Sequence, residues 1–282
     1  MPFSTSDGVR LWTATTGSAS SAPAVVILHG GPGLWDDYAV LAEMIDDLTV
    51  VHRFDQRGCG RSDPSDTQTM ARLAQDIDEL RAYWGHERIV VLGHSFGASL
   101  ALMYAASYGD QVAGVVYLDG VGIGDWRTPC QAEQERRMTV EQRERLDDLS
   151  ERRPRTPAEE TEFRVLSWFT DYADREQAMA WAYESASVDL PINFAANRAL
   201  AKETHGWPDG YVASLAATIQ APITFIHGEG DPRPASAVRE LADHAPNHAF
   251  ELIPNAGHSP WREDPEAVRV LLRRVVSGEE GA

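Results

Sequence analysis

The chain has 282 residues, 43% of them hydrophobic, 24% charged and 9% aromatic. It is too apolar for a disordered protein and too long for a disulfide-stapled miniprotein. With 25 basic against 43 acidic residues the net charge is −18, which disfavours any fold that grips phosphate backbones, so no nucleic-acid partner is expected.

Residues 1–7 carry neither a basic n-region nor an apolar h-region, so no secretory signal is read there. The first buried-strand pattern is Ala24 to Leu28, a continuous apolar run suited to a sheet covered on both faces. Leu48 to Phe54 reads as a second strand, and Thr67 to Trp84 as a helix with Leu73, Ile77 and Leu80 on one face. Arg88 to Leu92 is a third strand, followed by a helix from about Gly97 to Tyr108 and a fourth strand from Val112 to Leu118. This alternation predicts a parallel sheet built from βαβ units.

After Gly120 the texture changes. Across 123–208 no strand is legible, and 29 of 86 residues are charged against 39 of the other 196. Amphipathic helices are expected there, for example Glu141 to Glu151 and Glu160 to Phe169, broken by Pro154 and Pro157. The α/β rhythm returns with strands at Ile223 to His227 and Ala249 to Ile253, and helices near Ala235 to His244 and Pro265 to Val276. The expected organisation is a core of 1–122 and 209–282 with a helical cap over 123–208. Apolar runs are far short of a membrane span. Cys59 and Cys130 lack metal-ligand spacing and read as reduced thiols. A cytoplasmic protein, monomeric by default and with no membrane partner, is expected.

Gly93-His94-Ser95-Phe96-Gly97 lies directly between a strand and a helix. A serine there sits on a tight turn that pushes its hydroxyl out of the sheet. Such a hydroxyl needs a base, and the partners should follow in the order serine, acid, histidine. His258 is the base candidate, in the loop after the last strand; His227 reads as packed, and His29 and His94 as structural. Asp231 is the favoured acid, just past a strand end, with Asp119 and Glu229 as rivals. The oxyanion formed on attack needs backbone N–H donors. Phe96, at a helix start, and Gly31, in His29-Gly30-Gly31-Pro32-Gly33, are the candidates.

The chain resembles the α/β-hydrolase fold, and within it the proline iminopeptidase-like branch. The likeness rests on His29 to Gly33, on Asp55-Gln56-Arg57-Gly58-Cys59-Gly60-Arg61-Ser62, on Gly93 to Gly97 and on Asn255-Ala256-Gly257-His258. It covers most of the two core segments and matches the insertion poorly. The resemblance implies a mostly parallel sheet flanked by helices, a helical cap, and a serine hydrolase that works through an acyl-enzyme without metal or organic cofactor. It also implies acidic cap residues that read a free amine. Trp181-Ala182-Tyr183-Glu184 is similar to the family's aromatic-Glu element, which makes Glu184 the candidate carboxylate and Trp181 and Tyr183 candidate substrate contacts. The second acidic element is replaced by Phe194-Ala195-Ala196-Asn197, and Pro232 stands where a related branch has Glu.

The leading expectation is therefore a serine hydrolase acting on small peptides or amides with a free amine. One alternative is an esterase, lactonase or amidase for a small apolar metabolite, with Trp126, Phe163, Trp168, Phe169, Tyr172, Trp181 and Tyr183 available as lining. Another is a ligand-binding or non-hydrolytic biosynthetic protein on the same fold.

Overall fold

The computed structural model describes residues 3–208 and 210–278. The outermost ends of the two core segments, and position 209 where the second begins, lie outside them. Among the described residues there are nine strands: β1 (Phe3–Ser4), β2 (Arg10–Leu11), β3 (Thr13–Thr16), β4 (Ala24–Leu28), β5 (Val51–Phe54), β6 (Ile89–His94), β7 (Val112–Leu118), β8 (Ile223–Gly228) and β9 (His248–Ile253). β1 and β2 form a small antiparallel pair. The other seven form one sheet in the order β3-β5-β4-β6-β7-β8-β9. Every neighbour is parallel except β3, which runs antiparallel on β5.

The apolar strand runs have a direct structural cause. On β4, Ala24, Val26 and Leu28 point into one core cluster and Val25 and Ile27 into the other. Leu92, Val116 and Leu118 continue the second cluster, and Val91, Val115 and Tyr117 the first. The helices Met70–Tyr83 and Phe96–Ser107 cover one face, and Pro265–Ser277 covers the other. Each fully buried aliphatic side chain contributes roughly 1.5–3 kcal/mol of burial free energy, so both alternating sets are needed. The second strand is shorter than its sequence pattern and begins at Val51; ahead of it the Thr49 hydroxyl donates to the Pro23 carbonyl at 3.0 Å.

Between β7 and β8 the chain forms the helices Arg127–Arg136, Val140–Glu151, Pro157–Trp168, Ala178–Ala186, Phe194–His205 and Tyr211–Thr218. Thr139 and Thr156 each close a capping box, and Pro157 sits in a first turn, where its missing N–H is no loss. The middle of this excursion has its own apolar cluster, including Leu149, Val165, Phe169, Tyr172 and Ala182. Leu200 instead packs into the sheet's core, so the chain is back on the core before residue 208. Among the described residues no helix is long and apolar enough to cross a membrane.

Candidate active site

The strand β6 ends at His94 and a helix begins at Phe96, leaving Ser95 alone at the corner with φ 56° and ψ −120°. That conformation is costly for a residue with a side chain and persists only where its surroundings hold it. Here Ser95 donates its N–H to the Leu118 carbonyl at 3.0 Å, and its own carbonyl accepts from the Ala98 N–H at 3.0 Å. The flanking glycines are obligatory by contact. A Cβ on Gly93 would lie 2.0 Å from the Gly97 oxygen, and one on Gly97 would lie 2.2 Å from the Leu28 oxygen. The sequence pattern thus corresponds to a turn squeezed between two backbones.

His258 follows β9 on a loop and hydrogen-bonds through Nδ1 to Asp231 at 2.7 Å. Asp231 leaves β8 and is buried. It also accepts from the Arg233 N–H at 2.9 Å and from the Arg233 guanidinium at 3.1 Å. Burial alone would push its carboxyl up, but the His258 and Arg233 charges hold it well below the usual carboxylate range. Asp231 is therefore ionised, and as an acceptor it fixes the proton of His258 on Nδ1, leaving Nε2 as the basic nitrogen. The His258 backbone N–H donates to the Asp171 carbonyl at 2.8 Å, which ties the loop to the cap. Among the described residues there is no hydrogen bond between Ser95 and His258, although both line one chamber.

Asp119 lies close by at the end of β7, with ligand-capable atoms of Asp119, Asp231 and His258 within 4.8 Å of one another. These three alone among the described residues have metal-ligand spacing. Nδ1 of His258 is engaged with Asp231 and Asp119 Oδ1 accepts from the Gly228 N–H at 2.7 Å, while Asp119 Oδ2 is buried without a hydrogen-bond partner among the described residues. Burial, reinforced by the Asp231 charge, pushes the Asp119 carboxyl far above its ordinary value. Asp119 is thus a neutral acid beside an ionised one. That separates Asp231 from its two rivals: Asp231 contacts the imidazole, Asp119 makes no hydrogen bond to it, and Glu229 is exposed.

A hydrogen-bond chain that sequence reasoning did not anticipate joins three loops of the site. His94 Nε2 contacts the His258 carbonyl at 2.7 Å. A carbonyl only accepts, so Nε2 carries the proton and Nδ1 must accept from the Tyr38 hydroxyl, 2.7 Å away. Tyr38 in turn accepts from the Gly30 N–H at 3.2 Å. Burial, followed by the nearby His258, keeps His94 well below the ordinary histidine range and so neutral. The glycine loop, the serine turn and the histidine loop are therefore locked to one another.

Gly31 and Phe96 both lie beside Ser95. Among the described residues neither backbone N–H has a main-chain acceptor, which suits an oxyanion site. The glycine loop is braced from the cap: Asn197 donates to the Pro32 carbonyl at 2.9 Å, and the Asn193 N–H donates to Gly33 at 2.8 Å. Ala196, near which the family pattern has an acid, is fully buried. His29 Nε2 accepts from the Gln56 N–H at 2.9 Å, which makes it a strut. Asp55 is clamped by Arg61 at 2.6 Å, and buried Arg57 by Asp76 at 2.6 Å, so the Asp55–Ser62 motif holds turns together.

Two chambers meet at Ser95. The smaller, about 270 Å³, is lined by Trp35, Tyr38, Trp168, Tyr172 and Trp261 together with Asp37 and His258. The larger, about 520 Å³, is lined by Ile123, Trp126, Arg127, Trp207 and Tyr211. Gly31, Ser95, Gln134 and Arg233 belong to both. Three sequence candidates are not brought to either chamber. Glu184 is solvent-exposed and pairs with Arg262 at 2.7 Å. Tyr183 is 61% exposed, and Trp181 packs on Tyr172 within the cap. A helix exposes only one stripe to the site, and on Ala178–Ala186 that stripe is Ser185. Phe163 and Phe169 pack within the cap cluster. Arg233, Asp37 and Tyr38 were missed because no local motif marks them.

The chain belongs to the alpha/beta hydrolase fold family, whose model matches residues 23–265. A proline iminopeptidase of Saccharolobus solfataricus is 41% identical over 102 residues, covering 34% of this chain and 33% of that protein. The chain thus spans about a third of that relative's length. Among solved structures, the proline iminopeptidase of Mycobacterium smegmatis is similar with a TM-score of 0.70 at 21% identity, over 96% of this chain and 95% of the other. A thermophilic esterase of Thermogutta terrifontis is similar with a TM-score of 0.73 at 22% identity, over 98% and 96%. At those identities the structural likeness is one of fold.

Proposed function

We propose that the protein is a serine hydrolase that uses Ser95, His258 and Asp231 and acts, like a proline iminopeptidase, on small peptides or amides with a free amine. The observation that carries this reading is the 2.7 Å Asp231–His258 bond facing the same chamber as the strained Ser95 turn. In the reaction, His258 Nε2 takes the Ser95 proton as Oγ attacks the substrate carbonyl. The developing oxyanion is received by the Gly31 and Phe96 N–H groups. His258 then gives its proton to the leaving amine, and a water deprotonated by the same nitrogen releases the acyl group. Asp231 keeps its charge throughout and stabilises the imidazolium.

A short-ester substrate is the second reading, supported by the predominantly apolar and aromatic lining of the larger chamber. The two are separated by turnover of proline, alanine and phenylalanine arylamides against short aryl esters. Cleavage of the proline arylamide is expected. Fast ester cleavage with no amide cleaved at any residue would contradict the iminopeptidase reading.

A further inference from the structure

Asp37 is unlike the other carboxylates of its neighbourhood. Its neighbour Asp36 is buried and paired with Arg53. Asp55 is paired with Arg61, and Glu184 with Arg262. The three guanidiniums whose charges Asp37 feels are these same Arg262, Arg53 and Arg61, so each is already committed to another acid. Among the described residues Asp37 has no ion-pair partner of its own. It is nevertheless accessible, and it lines the smaller chamber beside Ser95 and His258. Enclosure by the surrounding protein, partly offset by Arg262, pushes its carboxyl up to about 6. Asp37 is thus an accessible carboxylate that lines this chamber without an ion-pair partner, and a cation entering the chamber would supply one.

We propose that Asp37 reads the cationic amine of the substrate and so seats the amine-bearing residue in the small aromatic chamber, with the leaving group in the larger one. This deepens the free-amine reading above. It assigns the charge recognition to the glycine-loop side of the site instead of the cap helix that carries Glu184. Trp35, Tyr38, Trp168, Tyr172 and Trp261 would surround the apolar part of one small residue, and about 270 Å³ is at the small end for ligand pockets.

The test is inhibition of 4-nitrophenyl acetate hydrolysis by L-prolinamide, a cation when protonated, and by its neutral isostere cyclopentanecarboxamide. The ratio of the two inhibition constants within one protein cancels any change in turnover. The native enzyme is expected to prefer the cation by about 10- to 100-fold, as for one charge-assisted hydrogen bond. Asp37→Asn should bring the ratio close to one, and Asp37→Glu should restore part of it. A native ratio near one, or a preference that survives in Asp37→Asn, would overturn the proposal. Proline arylamide turnover separately tests the iminopeptidase reading, so a cation preference without amide cleavage supports Asp37 and contradicts only that reading.

Discussion

Replacing Tyr38 with phenylalanine removes a single oxygen and leaves the ring packed between His94 and Trp261, whose centroids are each 5.6 Å from it. Two buried groups lose their partner: His94 Nδ1, now held at 2.7 Å, and the Gly30 N–H, held at 3.2 Å. A stranded buried polar group costs about 1–3 kcal/mol; the long Gly30 bond belongs at the low end and the short histidine bond at the high end. The sum is about 4 kcal/mol, which for a chain of this length lowers the melting temperature by about 7 °C. Activity should fall as well, because His94 also holds the His258 carbonyl at 2.7 Å. Thermal denaturation followed by circular dichroism, with kcat for an aryl ester on the same preparation, measures both effects. An unchanged melting temperature together with unchanged kcat would refute the idea that this chain fastens the three loops.

Other substitutions probe different parts of the account. Gly93→Ala places a methyl 2.0 Å from the Gly97 oxygen and is expected to destabilise by about 4 kcal/mol or more, seen as loss of soluble folded protein. Asp119→Asn should stabilise the fold at neutral pH. The native carboxyl, raised in the folded state, holds a proton that the unfolded chain releases, so stability falls as pH rises above the unfolded value, by up to roughly 1.4 kcal/mol per unit. The amide abolishes that slope, and melting curves between pH 5 and 8 should diverge upward for the variant. Glu184→Gln breaks only an exposed pair with Arg262, and KM for a proline arylamide should change by less than about fivefold.

The parts of the site that were legible in the sequence are those with local steric signatures. Gly93 and Gly97 mark the serine turn because backbone crosses where their Cβ atoms would stand. The five-residue run at Ala24 announced a strand with two buried faces, and the placement of Asp231 and His258 followed from strand ends. Strands β1 to β3 carry no legible signal because they are short and partly polar: β1 and β2 pair with each other in a separate small sheet, and β3 lies at the edge of the large one, where pairing with β5 supplies what its own sequence does not. The cap was readable as helical, yet which helix face meets the site depends on tertiary docking. Glu184 therefore looked suited to read the amine and instead meets Arg262 at the surface. Tyr38, Asp37 and Arg233 carry no motif; each acquires its place only when distant loops converge, Arg233 by bridging Asp171 at 2.8 Å and Asp231.

The most direct measurement is covalent labelling by a fluorophosphonate probe, followed by peptide mass spectrometry. The expected result is a single adduct on Ser95, absent in Ser95→Ala and formed much more slowly in His258→Ala, with both variants folded by circular dichroism. A folded native protein that takes up no label, or carries it on a residue other than Ser95, would contradict the serine-nucleophile account.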